Sequence, residues 1–321
     1  MQYNYHYDPA IAGSRTIKSL DTSKVSIPSW TTSYIQIGAV AAGSTDIQLE
    51  ETISGTKITK KMLTVTVIDA RNVSVTNLST YLSGLAENDE AHPYKINVTG
   101  LTTSNLNTLK SALTSSLKYV DLSSTTLPNS IPSSQDKLFY NCSRLVAAPP
   151  IPSDVTSMRA WFFGCQSLKT APTIPNGVTD LWSAFEYCSS LKVAPAIPNS
   201  VTSMNACFLG CGKLETPPSS IPTNSSLTEL CSVFSGCIKL ENVPQIPANI
   251  TDLSCCFQNC TSLTGTVTIK GSITSNLKWD RTFDGCSGIT VKVKNDTTKT
   301  AVTSGNAFPA SGVVVQVDSS L

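Results

Sequence analysis

Charge is scarce in this chain. Of its 321 residues only 14% are Asp, Glu, Lys or Arg, and 23 basic against 22 acidic side chains leave a formal charge of +1. A protein that grips a phosphate backbone does so with a cluster of basic residues, and no such face is implied here, so no nucleic-acid partner is expected. Ser, Thr and Asn fill the polar role instead. No stretch approaches the ~18 consecutive apolar residues of a membrane-spanning helix. The opening residues, MQYNYHYDPAIAG, lack the basic start and apolar run of a secretory signal. The chain is therefore expected to be either a processed fragment restarted with Met or a protein that reaches its destination without that signal, as a phage virion protein would.

Catalytic constellations are missing too. Histidine occurs twice, at His6 and His92, and neither lies near a cysteine or a paired carboxylate motif. A Ser-His or Cys-His relay would have to be built from a loop or a terminus. There is no glycine-rich phosphate loop, no HExxH and no nucleophile elbow. VKNDTTK (293–299) reads as a short turn rather than a cation-binding loop. Neither an enzyme nor a cofactor or metal site is expected. Asn-x-Ser/Thr triplets are frequent in so Asn-, Ser- and Thr-rich a chain, and two of them, at Asn141 and Asn259, fall where a glycan would clash with the motif described next.

Cysteine, by contrast, is plentiful: there are 11, an odd number, so at least one thiol has no intrachain partner. Seven of them sit in a repeat, Phe-x-x-Cys-x-x-Leu/Ile: FYNCSRL (139–145), FFGCQSL (162–168), FEYCSSL (185–191), FLGCGKL (208–214), FSGCIKL (234–240), FQNCTSL (257–263) and FDGCSGI (283–289). The cysteines, Cys142, Cys165, Cys188, Cys211, Cys237, Cys260 and Cys286, are spaced by 23, 23, 23, 26, 23 and 26 residues. Each motif but the last is followed by an Ile, with Pro after the first five of these. Then comes a Val/Ile/Leu-Thr-x-hydrophobic step: VTSM, VTDL, VTSM, LTEL, ITDL. A 23-residue unit cannot bury an apolar face alone and must stack on its neighbours, which is the signature of a solenoid. Such a turn is too short for two helices. One or two short strands per turn are expected, with a tight irregular or 3₁₀ segment around Phe-x-x-Cys.

LKTAPTIPNGVTDLWSAFEYCSS (168–190) resembles the BspA-like leucine-rich repeat of the 23-residue spirochaete type, with its opening Leu, Ile-Pro, Val-Thr, Ala-Phe and Cys. The likeness is strong from about 138 to 289 and departs in placing Ile-Pro one residue late, after an added Ala-Pro. It implies a surface-exposed adhesin or binding module of oral or gut bacteria, or of their phages, rather than an enzyme. The expected fold is a β-rich (α+β) leucine-rich-repeat solenoid with caps, preceded by a small β-rich domain. The expected divisions are an N-terminal docking domain (1–92), a cap (93–134), seven repeats (135–289) and a C-terminal cap (290–321).

Several flanking elements can be placed. SYIQIGAVA, DIQLEETI and KMLTVTVIDA alternate or run β-branched and predict strands. SLDTSKVSIPSW is too polar to pack alone and is expected to be an arm docking on a partner. AENDEAHP (86–93), acidic and ending on Pro, is the expected domain boundary. In the cap, Leu106, Leu109 and Leu113 share one face of a predicted helix (103–114), between strands in YKINVTG and LKYVDLS. At the C-terminus ITVKVKN, TTKTAVTSGNAF and GVVVQVD predict strand, helix, strand.

Each turn of a stack contributes one cysteine at an equivalent place, which makes a line rather than a tetrahedral zinc site. The reading preferred is a buried ladder of small apolar thiols beside a phenylalanine ladder; one or two disulfides, or a metal, are the competing readings. Cys207 and Cys256 share a column four before the repeat cysteine, and with Cys231 and Cys255 they are read as core filling. Other columns vary. Six before the cysteine stand Asp136, Arg159, Trp182, Asn205, Cys231, Ser254 and Asp280. Two before it stand Tyr140, Phe163, Glu186, Leu209, Ser235, Gln258 and Asp284. Residues so unlike in size and charge cannot share one buried slot, so both columns are expected to face solvent. Arg159, Trp161, Phe163, Trp182, Glu186 and Tyr187 then form a candidate binding patch; the competing reading folds these aromatics under a cap. The expected function is non-enzymatic recognition or adhesion, with a protein or glycan on a cell surface as partner. The alternative is a structural virion or filament component, such as a phage decoration or receptor-binding protein, held by its neighbours through residues 1–92. Either way the expected location is extracellular, on a bacterial cell or a virion.

Overall fold

In a computed structural model the protein is described over residues 72–270, 278–295 and 313–321, together with the backbone of six strands between Gln2 and Val67. The chain divides into two compact units, Met1–Ala70 and Arg71–Leu321.

The first unit is antiparallel. Strands β1 (Gln2–Asn4), β4 (Tyr34–Ala39) and β3 (Val25–Trp30) pair in the order β1-β4-β3, and β2 (Ser14–Ser19), β5 (Gly43–Ile53) and β6 (Thr56–Val67) in the order β2-β5-β6. The arm expected at SLDTSKVSIPSW is corrected in its second half: Val25–Trp30 is a strand of a sheet, held by its pairing with β4, while 20–24 lie outside the described residues. The register shifts between Ser26 and Ser29, across Pro28, which has no N–H to give to a ladder.

The second unit is a parallel β-solenoid of about nine turns. It opens with β7 (Asn72–Ser74) and α1 (Leu78–Ser83), and β7 pairs in parallel with β9 (Asn97–Thr99). The predicted cap helix is α2 (Leu106–Ser115), entered through a capping box between Thr102 and Asn105; Leu106, Leu109 and Leu113 are all buried. Residues 72–92 thus belong to this unit, since Val73, Val75, Leu78 and Leu82 lie in the same core as the repeats. The acidic stretch expected at a domain boundary is fastened to the solenoid. Asn88 donates to the Tyr119 carbonyl at 2.8 Å and accepts from its N–H at 3.0 Å, Glu87 pairs with the buried Lys118, and the Glu90 carbonyl accepts from Lys169 Nζ at 2.7 Å. β8 (Tyr94–Lys95), β10 (Val120–Asp121) and β11 (Leu145–Ala147) follow in parallel, in the order β11-β10-β8, and the far end is β12 (Thr266–Ile269), β13 (Thr290–Val293) and β14 (Val314–Val317). The helix predicted at 297–308 lies outside the described residues.

Between these ends the turns are joined by single parallel bridges at the Val-Thr step, Ser157 to Asp180 and Asp180 to Ser203, with Thr179 N–H donating to the Thr156 carbonyl at 2.8 Å. The Phe-x-x-Cys segment is not 3₁₀. It is the second of two back-to-back β-turns. In one repeat Trp161 N–H closes on the Met158 carbonyl (3.1 Å) and Cys165 N–H on the Phe162 carbonyl (3.0 Å), with positive φ at the third residue of each, Ala160 (52°) and Gly164 (71°). That is the φ pattern of a type II turn. It recurs in every repeat: positive φ falls five before each cysteine, from Lys137 to Arg281, and one before it, from Asn141 to Gly285. The first and fourth residues of each turn point inward and the second sits at the corner. This is why the Phe and Cys columns are buried in all seven repeats, and the Leu/Met column in the middle five, while the columns six and two before the cysteine are partly or fully exposed in all seven.

Inside, seven phenylalanines from Phe139 to Phe283 stack with ring centroids 5.3 to 5.8 Å apart and planes within 4° to 11° of parallel. Each is fully buried. Such pairs contribute about 0.5–1.5 kcal/mol each beyond the area they bury.

Candidate functional site

The corners of three adjacent repeats bring aromatic and basic side chains together at the surface. Phe163, at the corner of one Phe-x-x-Cys turn, stacks on Tyr140 of the previous repeat at 4.6 Å and 9°, and meets the ring of Tyr187 edge-on at 5.5 Å and 89°. At the other corner Arg159 lies over Trp182 with its guanidinium carbon 3.4 Å from the ring centroid, and its Nη1 is 3.5 Å from Asp180 Oδ2. Lys137 and Lys110 approach the Tyr140 ring at 5.5 and 5.7 Å. Between the two rows of corners lies a depression of about 280 Å³, walled by Lys137, Tyr140, Arg159, Phe163, Trp182 and Ser183. Glu186 follows Phe163 in its column, half-buried.

Tyr187 is an unusual residue for the backbone position it occupies. The residue one before the cysteine has positive φ in all seven repeats, and six of them place Gly or Asn there: Asn141, Gly164, Gly210, Gly236, Asn259 and Gly285. Tyr187 adopts φ 58° with a full aromatic side chain that is 46% exposed. A bulky residue in the left-handed region is strained. Space for the ring comes from the next repeat: a Cβ on Gly210 would come within 2.4 Å of Tyr187 Cδ1. Trp182, at 42% exposure, is the other large aromatic left open among the described residues.

Of the six residues expected to form the patch, five are at this surface. Trp161 is the correction: it is fully buried. Its column, four before the cysteine, is Leu138, Trp161, Ala184, Cys207, Val233, Cys256 and Thr282, the fourth residue of the first turn and inward-facing throughout. Ala184 in the following repeat makes room for the indole, whose Nε1 has no hydrogen-bond partner. The column already contains Cys207 and Cys256, which the sequence identified as core, so the same register would have placed Trp161. Tyr140 and Lys137 were missed as site residues. Tyr140 stands in the same variable column as Phe163, so its signal was available. Lys137 occupies the left-handed position five before its cysteine, where the other repeats carry Ala, Ser, Cys or Arg.

The seven repeat cysteines lie in the core, with free thiols. The six after Cys142 donate across to the preceding repeat: Cys165 Sγ to the Phe139 carbonyl, Cys188 to Phe162 and Cys211 to Phe185, all at 3.1 Å. The series continues to Cys286 and Phe257 at 3.0 Å. The three residues added between Cys211 and Cys237 leave this register intact, since Cys237 still reaches the Phe208 carbonyl at 3.2 Å. Burial pushes the Cys142 thiol up to about 12 and Cys286 up to about 11, and raises Cys188 well above its ordinary range. A thiol that stays protonated is neither a nucleophile nor a ready metal ligand. Among the described residues no three His, Cys, Asp or Glu side chains are grouped to hold a metal, and no helix is long and apolar enough to cross a membrane.

With this geometry in hand the comparison with known families is decisive. The BspA type leucine-rich repeat region matches residues 94–215 and 182–309, in 6 copies. The chain belongs to the BspA-type leucine-rich repeat family. No curated protein and no solved structure matches it. Leucine-rich-repeat solenoids of this family are interaction and adhesion proteins, typically surface-associated and typically non-enzymatic. The BspA-type repeats here combine repeating Phe and Cys columns inside with corners that differ from one repeat to the next.

Proposed function

We propose that the protein is a non-enzymatic recognition protein that binds surface molecules through the outward corners of its solenoid, centred on Arg159, Phe163, Trp182, Glu186 and Tyr187. Tyr187 is the observation that carries this reading. The fold supplies Gly or Asn at that position elsewhere, and a Tyr there costs of order 1–3 kcal/mol of backbone strain. It is held against Phe163 on an open face of the repeat that also exposes Trp182, and strain of this kind is tolerated where a side chain must be presented. Exposed Trp, Tyr and Arg are the residue types that dominate binding energy at interfaces. The reading places the protein outside the cell, on a bacterial surface or a virion.

The test is binding of the fluorescently labelled full chain to a panel of bacterial and epithelial cells, for the native protein and for the double variant Trp182→Ala/Tyr187→Asn. The native protein should bind at least one surface saturably. The double variant should lose tenfold or more in affinity while its thermal midpoint stays within a few degrees. Equal binding by the folded double variant would overturn this reading of the patch.

A further inference from the structure

The depression beside these corners has a chemical bias. None of the residues that wall it is an acid. Its polar atoms are predominantly donors: the Lys137 ammonium, the Arg159 guanidinium, the Trp182 indole N–H, and the hydroxyls of Tyr140 and Ser183. Only Arg159 has a carboxylate partner, Asp180 at 3.5 Å; among the described residues no carboxylate lies within ion-pair distance of Lys137 or of Lys110 beside it. The aromatic wall points the same way. Tyr140 and Phe163 stack on each other, with the two lysines against Tyr140 and the Tyr187 ring set edge-on against Phe163, so the stack offers ring edges, the positive rim of the aromatic quadrupole. The electrostatics therefore call for an anion, and the shape limits its size. At about 280 Å³ the depression is at or below the volume of a drug-sized pocket and takes about one six-membered ring.

We infer that this depression binds a single acidic sugar unit, a pyranose ring bearing a carboxylate or a sulfate. The inference rests on the reading of this patch as a recognition site and names what it recognises. The anion meets Lys137 and Arg159. The ring lies between the Trp182 and Phe163 walls, and Tyr140 and Ser183 offer hydroxyls to the ring's own. An acidic peptide fits less well. A peptide would run along the solenoid from repeat to repeat, and the next residue in the Tyr140–Phe163 column is Glu186, an acid with no cation within ion-pair distance among the described residues. That carboxylate opposes a second negative charge and closes the cationic stretch after one unit.

The experiment uses the full chain on an array of immobilised saccharides ending in uronic, sialic or sulfated sugars, with neutral sugars of the same linkage and a poly-glutamate peptide alongside. Affinities for the hits are then measured at 50 and 300 mM NaCl. The expected result is binding of acidic sugars over their neutral counterparts by tenfold or more, weakened by salt. Lys137→Gln should weaken it by about tenfold and Glu186→Gln should strengthen it by two- to threefold. The carboxylate and sulfate arms show which anion is preferred. Equal binding of neutral sugars, a preference for poly-glutamate, no binding to any sugar, or indifference to Lys137→Gln would each overturn the inference. Lys137 is exposed and has no carboxylate partner among the described residues, so its replacement leaves the fold in place, and a thermal midpoint confirms it. The broader recognition reading fails separately, by cell binding that survives Trp182→Ala/Tyr187→Asn.

Discussion

Phe185 and Tyr187 stand two residues apart in one turn and obey different rules. Phe185 faces in, stacked between Phe162 and Phe208 at 5.4 and 5.7 Å, in a column that is phenylalanine in all seven repeats. Tyr187 faces out, in a column that the fold reserves for Gly or Asn, and it is the one residue to break that preference. Inside, one solution is repeated because each side chain must pack against a copy of itself one turn away. Outside, no such neighbour constrains the choice, and the corners of each repeat are free to differ. Uniformity in the Phe and Cys columns marks what holds the solenoid together, but the column from Leu138 to Thr282 varies and is just as buried, so a departure marks display only where the turn points it outward.

The largest effect that separates the two faces is expected at alkaline pH. Nine of the eleven thiols are buried, and burial raises them; Cys142, for example, goes to about 12. Released on unfolding, a thiol titrates near ~8.5. A group whose pKa is raised in the folded state contributes stability that is complete below the unfolded value and is lost as pH rises toward the folded one. Each thiol therefore withdraws about 1.4 kcal/mol per pH unit above roughly pH 9, and nine of them together about 12 kcal/mol per unit. That is comparable to the whole stability of an ordinary domain, about 5–15 kcal/mol. The solenoid should unfold cooperatively between about pH 9 and 10.5 under reducing conditions. Thiolate absorbance should appear together with the loss of circular dichroism. Thiolate appearing at unchanged thermal midpoint would show that the ladder is open to solvent and would sink the account.

The next effect is a matched pair of truncations. Phe185→Ala should cost about 3–5 kcal/mol, because it leaves a ring-sized cavity between two rings that cannot close over it. Trp182→Ala, three residues earlier but at a corner, should cost less than about 1 kcal/mol, the loss of its contact with Arg159. Chemical denaturation of both variants checks this. Similar costs for the two would mean that Trp182 is structural and that the division between inward and outward columns is wrong.

Much of this division was legible in the sequence, because a solenoid converts periodicity directly into neighbourhood. The 23-residue period gave the register, and the register gave the Phe and Cys columns and the two variable ones. What escaped had a local cause. Trp161 was grouped with its exposed neighbours by residue type, although its column also holds Cys207 and Cys256 and is buried. The paired turns were missed although Asn141, Gly164, Gly210, Gly236, Asn259 and Gly285 spell out a left-handed position. Helix α1 was missed because only Leu78 and Leu82 mark its inner face over 6 residues. Lys137 could not be assigned to the site from its column alone. It becomes a site residue only once the Tyr140 and Phe163 rings are seen to stack beside it.

The smallest effect is the sharpest test of the comparison. Tyr187→Asn puts at this position the residue that Asn141 and Asn259 already supply at theirs. The change relieves part of the left-handed strain of about 1–3 kcal/mol, since Asn tolerates that region better than Tyr. It also removes the edge-on contact with Phe163, worth about 0.5–1.5 kcal/mol, together with the ring's packing over Gly210. The two nearly cancel, so stability should change by less than about 1 kcal/mol in either direction, or about 2–4 °C in thermal midpoint. Phe185→Ala two residues away should shift it several times as far. Binding should respond in the opposite order, with Tyr187→Asn weakening attachment to the cell surface while the fold is unmoved. A loss of more than about 2 kcal/mol on Tyr187→Asn would mean that the tyrosine is a packing residue that happens to be visible, and the strained position would then no longer point to a ligand.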